Sequence, residues 1–536
     1  MGKIFYPDFF NDVFGPIMQP GSSTNFAGNS RLGRAASFTV KQELKRVKVS
    51  LNPNSQGYLG KLGNMMEDRA FLGGLQGFAP DDERLFDAHA LARDKGISYE
   101  FGFLPEDNEY PDTITFDVEN KNGDKGRFIG ASIGGGMIKS YEINSFPIVW
   151  QGDTHGILLK KTPQTEVGLR SFLQSNESAV VDYREYRNER GEEAWFIELS
   201  RPIEDEKLQK YFGTDQLVFP ALLPVLSFNG RQAQLFKTVD EWIGYAEKEG
   251  ISFVDAAIAY EKAFSGWDEK QIWDYFENIR DILYHQIHAL EDRGIDTVPD
   301  TPLLPVYGKN WNRYKQTGKV LQDPLSSRIM DYAFSVNAKI PGVRIVPGPM
   351  GTGGGYLFSA MEAVRESRGY SRKKQLEGLV VAAQLGAIAF GLAHASGLSG
   401  CAGESGICCA MASGGITWMA GGTGQQVQNA ASMALQSHIG IPCDPIPGGK
   451  EFPCLTRTVR AALSAPLYAD MALCGIDPII PYHEALYAIE HIRQLYPKAV
   501  CGPECGLNCT AAAARCQQFL SEDIMKDKLK WEAPEV

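Results

Sequence analysis

The amino-acid sequence predicts an α+β chain of several domains, with a mixed α/β front half and an all-α back half. Three observations carry that prediction. At 536 residues the chain exceeds what one ordinary hydrophobic core supports. Runs of β-rich residues bounded by turn clusters end before Thr238, and from there helical periodicity and Ala-rich stretches dominate. All 10 cysteines fall after residue 400, so the two halves also differ in chemistry.

Residues 1–150 read as the first domain. The runs Arg46–Leu51, Thr113–Val118 and Arg127–Ile133 are strands, and Asp81–Lys95 is helical. Asn122-Gly123 between alternating segments predicts a hairpin. The run Ser132-Ile133-Gly134-Gly135-Gly136-Met137-Ile138 permits positive φ or close backbone approach. Residues 151–237 form a second segment with a β-α-β-β pattern. Its strand is Gly156–Lys161, its helix Glu166–Gln174, and Ala179–Tyr186 with Ala194–Ser200 make a hairpin around Asn188–Gly191. That pattern resembles half of an ACT-like regulatory module. Residues 238–536 are expected to be helical, including Trp273–Leu290 and Leu376–Ala395, with proline- and glycine-rich loops at Asp300–Pro305 and Val346–Gly355. No internal repeat is visible.

The bulk numbers exclude several classes. Lys and Arg total 53 against 65 Asp and Glu, a net charge of −12, which argues against a nucleic-acid binder. The start of the chain lacks a basic segment followed by an apolar one, and Tyr6 stands where myristoylation wants Ser or Thr. A cytoplasmic location is therefore expected. The run Gly378–Leu398 carries no Asp, Glu, Lys or Arg, but its glycines and its Gln384, His394 and Ser396 favour a buried helix over a membrane span. Cysteines confined to one region of a large chain point to a metal or redox site in a reducing compartment rather than to disulfides.

Iron–sulfur clusters are held by cysteine thiolates. A cluster that leaves one iron open can act as a Lewis acid on a leaving hydroxyl, so three ligands are the arrangement to seek. Composition alone does not choose three of ten. The flanking residues do. Gly400-Cys401-Ala402-Gly403-Glu404-Ser405-Gly406-Ile407-Cys408-Cys409-Ala410-Met411-Ala412 resembles the G-C-x-G-E-x-G-x-x-C-x-M-A segment of the iron–sulfur L-serine dehydratases. Gly440-Ile441-Pro442-Cys443-Asp444-Pro445 resembles that family's L-G-L-T-C-D-P, and Phe452-Pro453-Cys454-Leu455-Thr456-Arg457 its V-P-C-I-E-R. The intervals between the three cysteines match as well. Asp323-Pro324 through Val346-Pro347-Gly348-Pro349 follows the family's D-P…V-x-A-P pattern, and Ser132–Ile138 resembles its S-I-G-G-G-F-I.

The resemblance implies a [4Fe–4S] cluster on Cys401, Cys443 and Cys454. It further implies a front domain like the family's beta part, a helical catalytic domain like its alpha part, and a homodimer that releases ammonia from a small amino-acid substrate. The family's S-S-S-H-T-x-G loop lines up with Ser22-Ser23-Thr24-Asn25-Phe26-Ala27-Gly28, making Ser22, Ser23, Thr24 and Asn25 the expected substrate-binding residues. Hydroxyls and backbone N–H groups in such a loop can grip a carboxylate.

Departures concentrate at the substrate-facing motifs. Asn25 replaces the family's His, and Gly60-Lys61-Leu62-Gly63-Asn64-Met65-Met66-Glu67-Asp68 lacks the histidine of its G-K-G-H-x-T-D. Histidine is a frequent general base. Lys61, Asp68 and His438 become the candidate catalytic residues, with His394 a further one. Pro349–Gly355 loses an amide side chain of the family loop. The chain's end has Cys501, Cys505, Cys509 and Cys516, of which Cys509 or Cys516 would correspond to the family's terminal cysteine, and the four together could hold a second metal. Cys408, Cys409 and Cys474 read as core thiols, His285 and His288 as structural residues sharing a helix face, and Glu404 as a group that orients its loop. The first reading is a lyase acting on L-serine or a related β-hydroxy amino acid. Removal of sulfide from L-cysteine, a non-catalytic iron–sulfur sensor and a structural zinc protein are the alternatives.

Overall fold

The computed structural model describes residues 7–53, 66–110, 113–214, 216–231, 234–300, 305–348, 353–393, 395, 399–443, 452–495, 507, 510–512 and 515. The chain divides into two compact units, one made of residues 22–231 and the other of residues 1–21 with 232–536.

The first unit is mixed α and β. Helix α1 (Asn29–Ser37) leads to strand β1 (Leu44–Leu51), helices α2 (Glu67–Leu75) and α3 (Ala88–Asp94), and strands β2 (Ser98–Phe103), β3 (Ile114–Asn120), β4 (Lys125–Gly134) and β5 (Met137–Ile143). The sheet order is β2-β1-β3-β4-β5, with β1 and β2 parallel and the rest antiparallel. Alternation along β3 buries Ile114, Phe116 and Val118, which pack beneath α1 and α2. The expected hairpin at Asn122-Gly123 joins β3 to β4, with Gly123 at φ 89°. Asp81–Lys95 is not one helix. A tight turn, Glu83–Asp87, precedes α3 because Asp82 caps the backbone N–H of Arg84.

Helices α1 and α2 cross on glycine. A Cβ at Gly33 would lie 2.3 Å from the Phe71 carbonyl, and one at Gly74 2.1 Å from the Ser30 carbonyl, so only glycine permits this backbone approach.

The second sheet of this unit contains β6 (His155–Lys160), α4 (Pro163–Ser175), β7 (Val180–Arg187), β8 (Glu193–Leu199), α5 (Asp205–Phe212) and β9 (Gln216–Phe219). Its strands run antiparallel in the order β7-β8-β6-β9. The β-α-β-β pattern read from the sequence is thus extended by a second helix and a fourth strand into a β-α-β-β-α-β arrangement. Thr162 and Thr165 form a capping box with Pro163 at the first helical position of α4.

Among the described residues, the second unit is helical apart from loops and an isolated bridge. Its helices are α6 (Val239–Glu249), α7 (Phe253–Ser265), α8 (Glu269–Asp292), α9 (Tyr307–Lys315), α10 (Pro324–Asn337), α11 (Gly353–Arg368), α12 (Arg372–Leu392), α13 (Ser405–Met419), α14 (Gly424–Gln436), α15 (Cys454–Leu473) and α16 (Tyr482–Leu495). Helix α13 is buried almost all round and packs against α11, α12, α14 and α15. Its small residues make this close packing feasible, since a Cβ at Gly415 would sit 2.8 Å from the Gly378 carbonyl of α12. Helix α12 is long and apolar enough to cross a membrane, yet 78% of its most apolar window is buried inside the protein, as expected of a core helix. It stops at Leu392, short of the Ala395 read from composition, where Ala393 turns extended.

Residues 7–21, which the sequence grouped with the front domain, pack in the helical unit. Phe9 stacks on Tyr260, Phe10 on Trp267, and Met18 pairs with Ile345 through two backbone hydrogen bonds of 3.0 and 2.8 Å. Three buried aromatics so close to the start (Phe9, Phe10 and Phe14) need an apolar partner, and helices α7 and α8 supply it.

Candidate active site

The cysteine-bearing segments converge in the helical unit. Gly400, at φ 71°, turns the chain into a single tight turn (Cys401–Gly403) ahead of α13. The Cys401 amide donates to the Ile441 carbonyl at 2.8 Å, which lays the extended segment Ile441–Cys443 beside that turn. Arg457, in the first turn of α15, donates from Nη1 to the Pro442 carbonyl at 2.6 Å. The residue before Cys443 is thereby tied to the helix that Cys454 begins. Cys401 is buried, and Cys443 and Cys454 are half-buried. The Cys401 thiol donates to Ser405 Oγ at 3.1 Å.

Electrostatics link the same residues. Burial pushes the Cys454 thiol up to about 12, helped by Glu404 and Cys401 and opposed by Lys339 and Arg457. Burial also raises Cys401, with Glu404 adding to the rise and Ser405 and Arg457 opposing it. These thiols stay protonated unless a cation compensates for desolvation, and a coordinating metal does this by deprotonating its ligands outright. The start of α15 contributes a helix N-terminus to Cys454, which also favours a thiolate. Among the described residues no three His, Cys, Asp or Glu side chains close on a single-ion position. A four-iron cluster asks for something else, because each thiolate binds a different corner. Three thiols from three converging segments, with two cationic side chains within electrostatic reach, fit such a group.

His438 lies just beyond α14, with its side chain against Gly406 of α13. Its Nδ1–H donates to the Ala434 carbonyl at 2.7 Å, which leaves Nε2 as the lone-pair nitrogen. Nε2 is buried and has no hydrogen-bond partner among the described residues. Burial lowers the pKa of His438, so the ring is neutral at pH 7.

The expected substrate loop lies in the other unit. Ser22 caps a turn at Ser23–Gly28, its Oγ accepting from the Asn25 amide at 3.2 Å. Ser23 is buried, whereas Ser22, Thr24 and Asn25 keep part of their surface. Ser132 Oγ donates to the Thr24 carbonyl at 2.9 Å, and Arg31 Nη1 donates to the Gly136 carbonyl at 2.6 Å. The loop is thus seated on the glycine turn between β4 and β5, where Gly134, Gly135 and Gly136 all have positive φ. Asp68, at the start of α2, accepts from His89 Nε2 at 2.8 Å, and the other ring nitrogen of His89 meets Tyr99 Oη at 2.9 Å. The sequence did not single out His89. Its pairing with Asp68 arises only when α2 and α3 fold together.

The remaining expectations divide. Lys61, His394, Cys501, Cys505, Cys509 and Cys516 lie outside the described residues. Cys408 and Cys409 are core thiols as expected, but Cys474 is exposed, because it sits at the C-terminal end of α15 where the helix leaves the core. His288 is structural, with Nδ1 on the Tyr284 carbonyl and Nε2 on Tyr332 Oη. His285 does not share its buried surroundings and lines an open cleft with Arg293 and Arg344.

Comparison with known proteins bears on the whole of this arrangement. The family model described as "Serine dehydratase alpha chain" matches residues 205–513, more than half of the chain. The L-serine dehydratase alpha chain of Peptoniphilus asaccharolyticus is 26% identical over 297 residues, covering 55% of this chain and 99% of the relative. The probable L-serine dehydratase alpha chain of Bacillus subtilis is 31% identical over 276 residues, covering 50% of this chain and 88% of the relative. The L-serine dehydratase beta chain of Peptoniphilus asaccharolyticus is 33% identical over 165 residues, covering 31% of this chain and 72% of the relative. With the cysteine segments converging and the family model spanning most of the helical unit, the chain belongs to the serine dehydratase alpha-chain family.

Proposed function

We propose that this chain is a [4Fe–4S]-dependent lyase that eliminates water and ammonia from L-serine or a related β-hydroxy amino acid to give a 2-oxo acid. Family membership supports a lyase-type enzyme. The observation that carries the cluster reading is the double tie of Cys401 to Ile441 and of Arg457 to Pro442, which draws the segments of Cys401, Cys443 and Cys454 together. Cys401, Cys443 and Cys454 would hold the cluster. When bound, it would supply an open Lewis-acid iron for the departing hydroxyl.

The protein's own side chains have separable tasks in this reading. His438 accepts the Cα proton at Nε2, because its Nδ1–H is fixed on Ala434 and burial keeps the ring neutral. The loss of that proton and of hydroxide leaves an enamine. The enamine tautomerises and takes up water to release ammonia, so serine yields pyruvate, ammonia and no net oxidation. The hydroxyl-bearing loop Ser22–Asn25 is assigned to substrate binding. Asp68, held by His89, is a positioning residue at the start of α2. The β-α-β-β-α-β segment is proposed as an ACT-like regulatory module, and the resemblance also supports a cytoplasmic homodimer.

The test is a screen of anaerobically purified protein for 2-oxo acid release from L-serine, L-threonine and L-cysteine. A preference for a hydroxyl substrate is expected. A preference for L-cysteine would replace dehydration with desulfidation, and no turnover of any of them would refute the lyase reading.

A further inference from the structure

The last turns of α8 border a cleft that none of the three cysteine segments lines. Ile282, His285, Ala289 and Asp292 form one side of it, and Val343 and Arg344 lie on the other. Residues three and four apart share one face of a helix, so the α8 side chains make a continuous wall. Arg293, the residue that follows α8, also lines the cleft. The cavity measures about 300 Å³, room for a small ligand.

The wall facing α8 is held in place. Gly342 has φ 80°, and the Val343 amide returns to the Ile340 carbonyl at 3.1 Å, a tight turn that calls for glycine. The Gly342 amide donates to Gln19 Oε1 at 3.0 Å, and Ile345 pairs with Met18. Arg293 reaches this wall rather than the carbonyls of its own helix, its Nη1 donating to the Pro341 carbonyl at 3.2 Å. A guanidinium has several more N–H donors, and among the described residues no carboxylate pairs with those of Arg293. In a chain of net charge −12, the cleft thus carries two guanidiniums and one carboxylate. The planar fork of arginine matches a carboxylate with two parallel hydrogen bonds. Asp292, which forms no ion pair among the described residues, repels a second negative charge on the same ligand. Ile282, Ala289 and Val343 offer an apolar surface to a short hydrocarbon chain.

We infer that the cleft at the end of α8 binds a small monocarboxylate, its carboxylate on Arg293 and Arg344 and its apolar part on Ile282, Ala289 and Val343. The 2-oxo acid released in the proposed reaction belongs to this chemical class, and the binding itself stands apart from that reading.

Calorimetry on the anaerobically purified protein tests this with butyrate, its neutral isostere butyramide and the dianion succinate. Wild type, Arg293→Gln and Asp292→Asn are compared. Both side chains are exposed, so both variants are expected to melt with wild type. Wild type should bind butyrate more tightly than butyramide or succinate. Loss of a charge-assisted hydrogen bond in Arg293→Gln is expected to weaken butyrate by about tenfold and to leave butyramide within about twofold. Asp292→Asn should strengthen succinate by about threefold or more, and butyrate by less. Equal binding of butyrate and butyramide, butyrate binding untouched by Arg293→Gln, or no butyrate binding to wild type would each overturn the assignment. No gain for succinate in Asp292→Asn would overturn the restriction to monoanions. Turnover of L-serine enters none of these readings, so failure here leaves the lyase reading standing.

Discussion

Substituting Gly28 by alanine tests how the proposed substrate loop is seated. Gly28 has φ −59° and ψ −44°, ordinary helical values, so the backbone would welcome alanine and gain about 0.4–1 kcal/mol from a stiffer unfolded chain. The side chain meets an obstacle. A Cβ at Gly28 would lie 2.1 Å from Ser132 Oγ and 2.8 Å from Ser132 Cβ. Rotating the hydroxyl relieves the first contact but not the second, which stays far inside the carbon–carbon optimum of about 3.5–4 Å. The loop or β4 must therefore move. Such overpacking costs about 1–3 kcal/mol, and losing the Ser132–Thr24 hydrogen bond costs about 1 kcal/mol more. The net expectation for Gly28→Ala is a destabilisation of about 1–3 kcal/mol, with a raised KM because Thr24 loses its support. Melting temperature and steady-state kinetics of the anaerobic protein measure both. Gly28→Ala combined with Ser132→Gly removes the clash, and should regain at least about 1 kcal/mol relative to the sum of the single changes. A Gly28→Ala protein as stable as wild type with an unchanged KM would refute this account of the loop.

Other consequences are equally direct. Cys401→Ser, Cys443→Ser and Cys454→Ser should each lose bound iron and turnover, whereas Cys474→Ser, at an exposed thiol, should lose neither; iron assay and oxo-acid release distinguish them. Burial lowers the pKa of His155 below its ordinary 6.5, and the Ala221 amide donates to its Nδ1 at 3.2 Å. The unfolded chain then binds the extra proton first, so stability is full above about pH 6.5 and declines as pH falls toward the folded-state pKa. His155→Gln should flatten the melting temperature between about pH 7 and pH 5, and an unchanged slope would remove His155 as the cause.

Much of this molecule is legible in its sequence because local rules coincide with the fold. The Asn122-Gly123 hairpin and the β-rich run that becomes Ile114–Asn120 each follow from backbone preferences that neighbours do not overrule. The cysteine motifs are legible for another reason, since their flanking residues resemble the segments of one family. What escaped was non-local. Asp68 and His89 meet only through the packing of α2 and α3, and no pattern in either segment signals the other. Strand β9 is four residues long and, among the described residues, pairs with β6 at the edge of its sheet, so the second half of its module carries too little periodicity to read.

The central claim is that the three converging cysteines hold a cluster that turns over a β-hydroxy amino acid. Its most direct test is iron and acid-labile sulfide per chain in anaerobically purified protein, with pyruvate release from L-serine followed before and after exposure to air. The account predicts about four irons and four sulfides per chain, with activity and iron lost together on oxidation. Zinc in place of iron, or undiminished turnover by protein without iron, would contradict it.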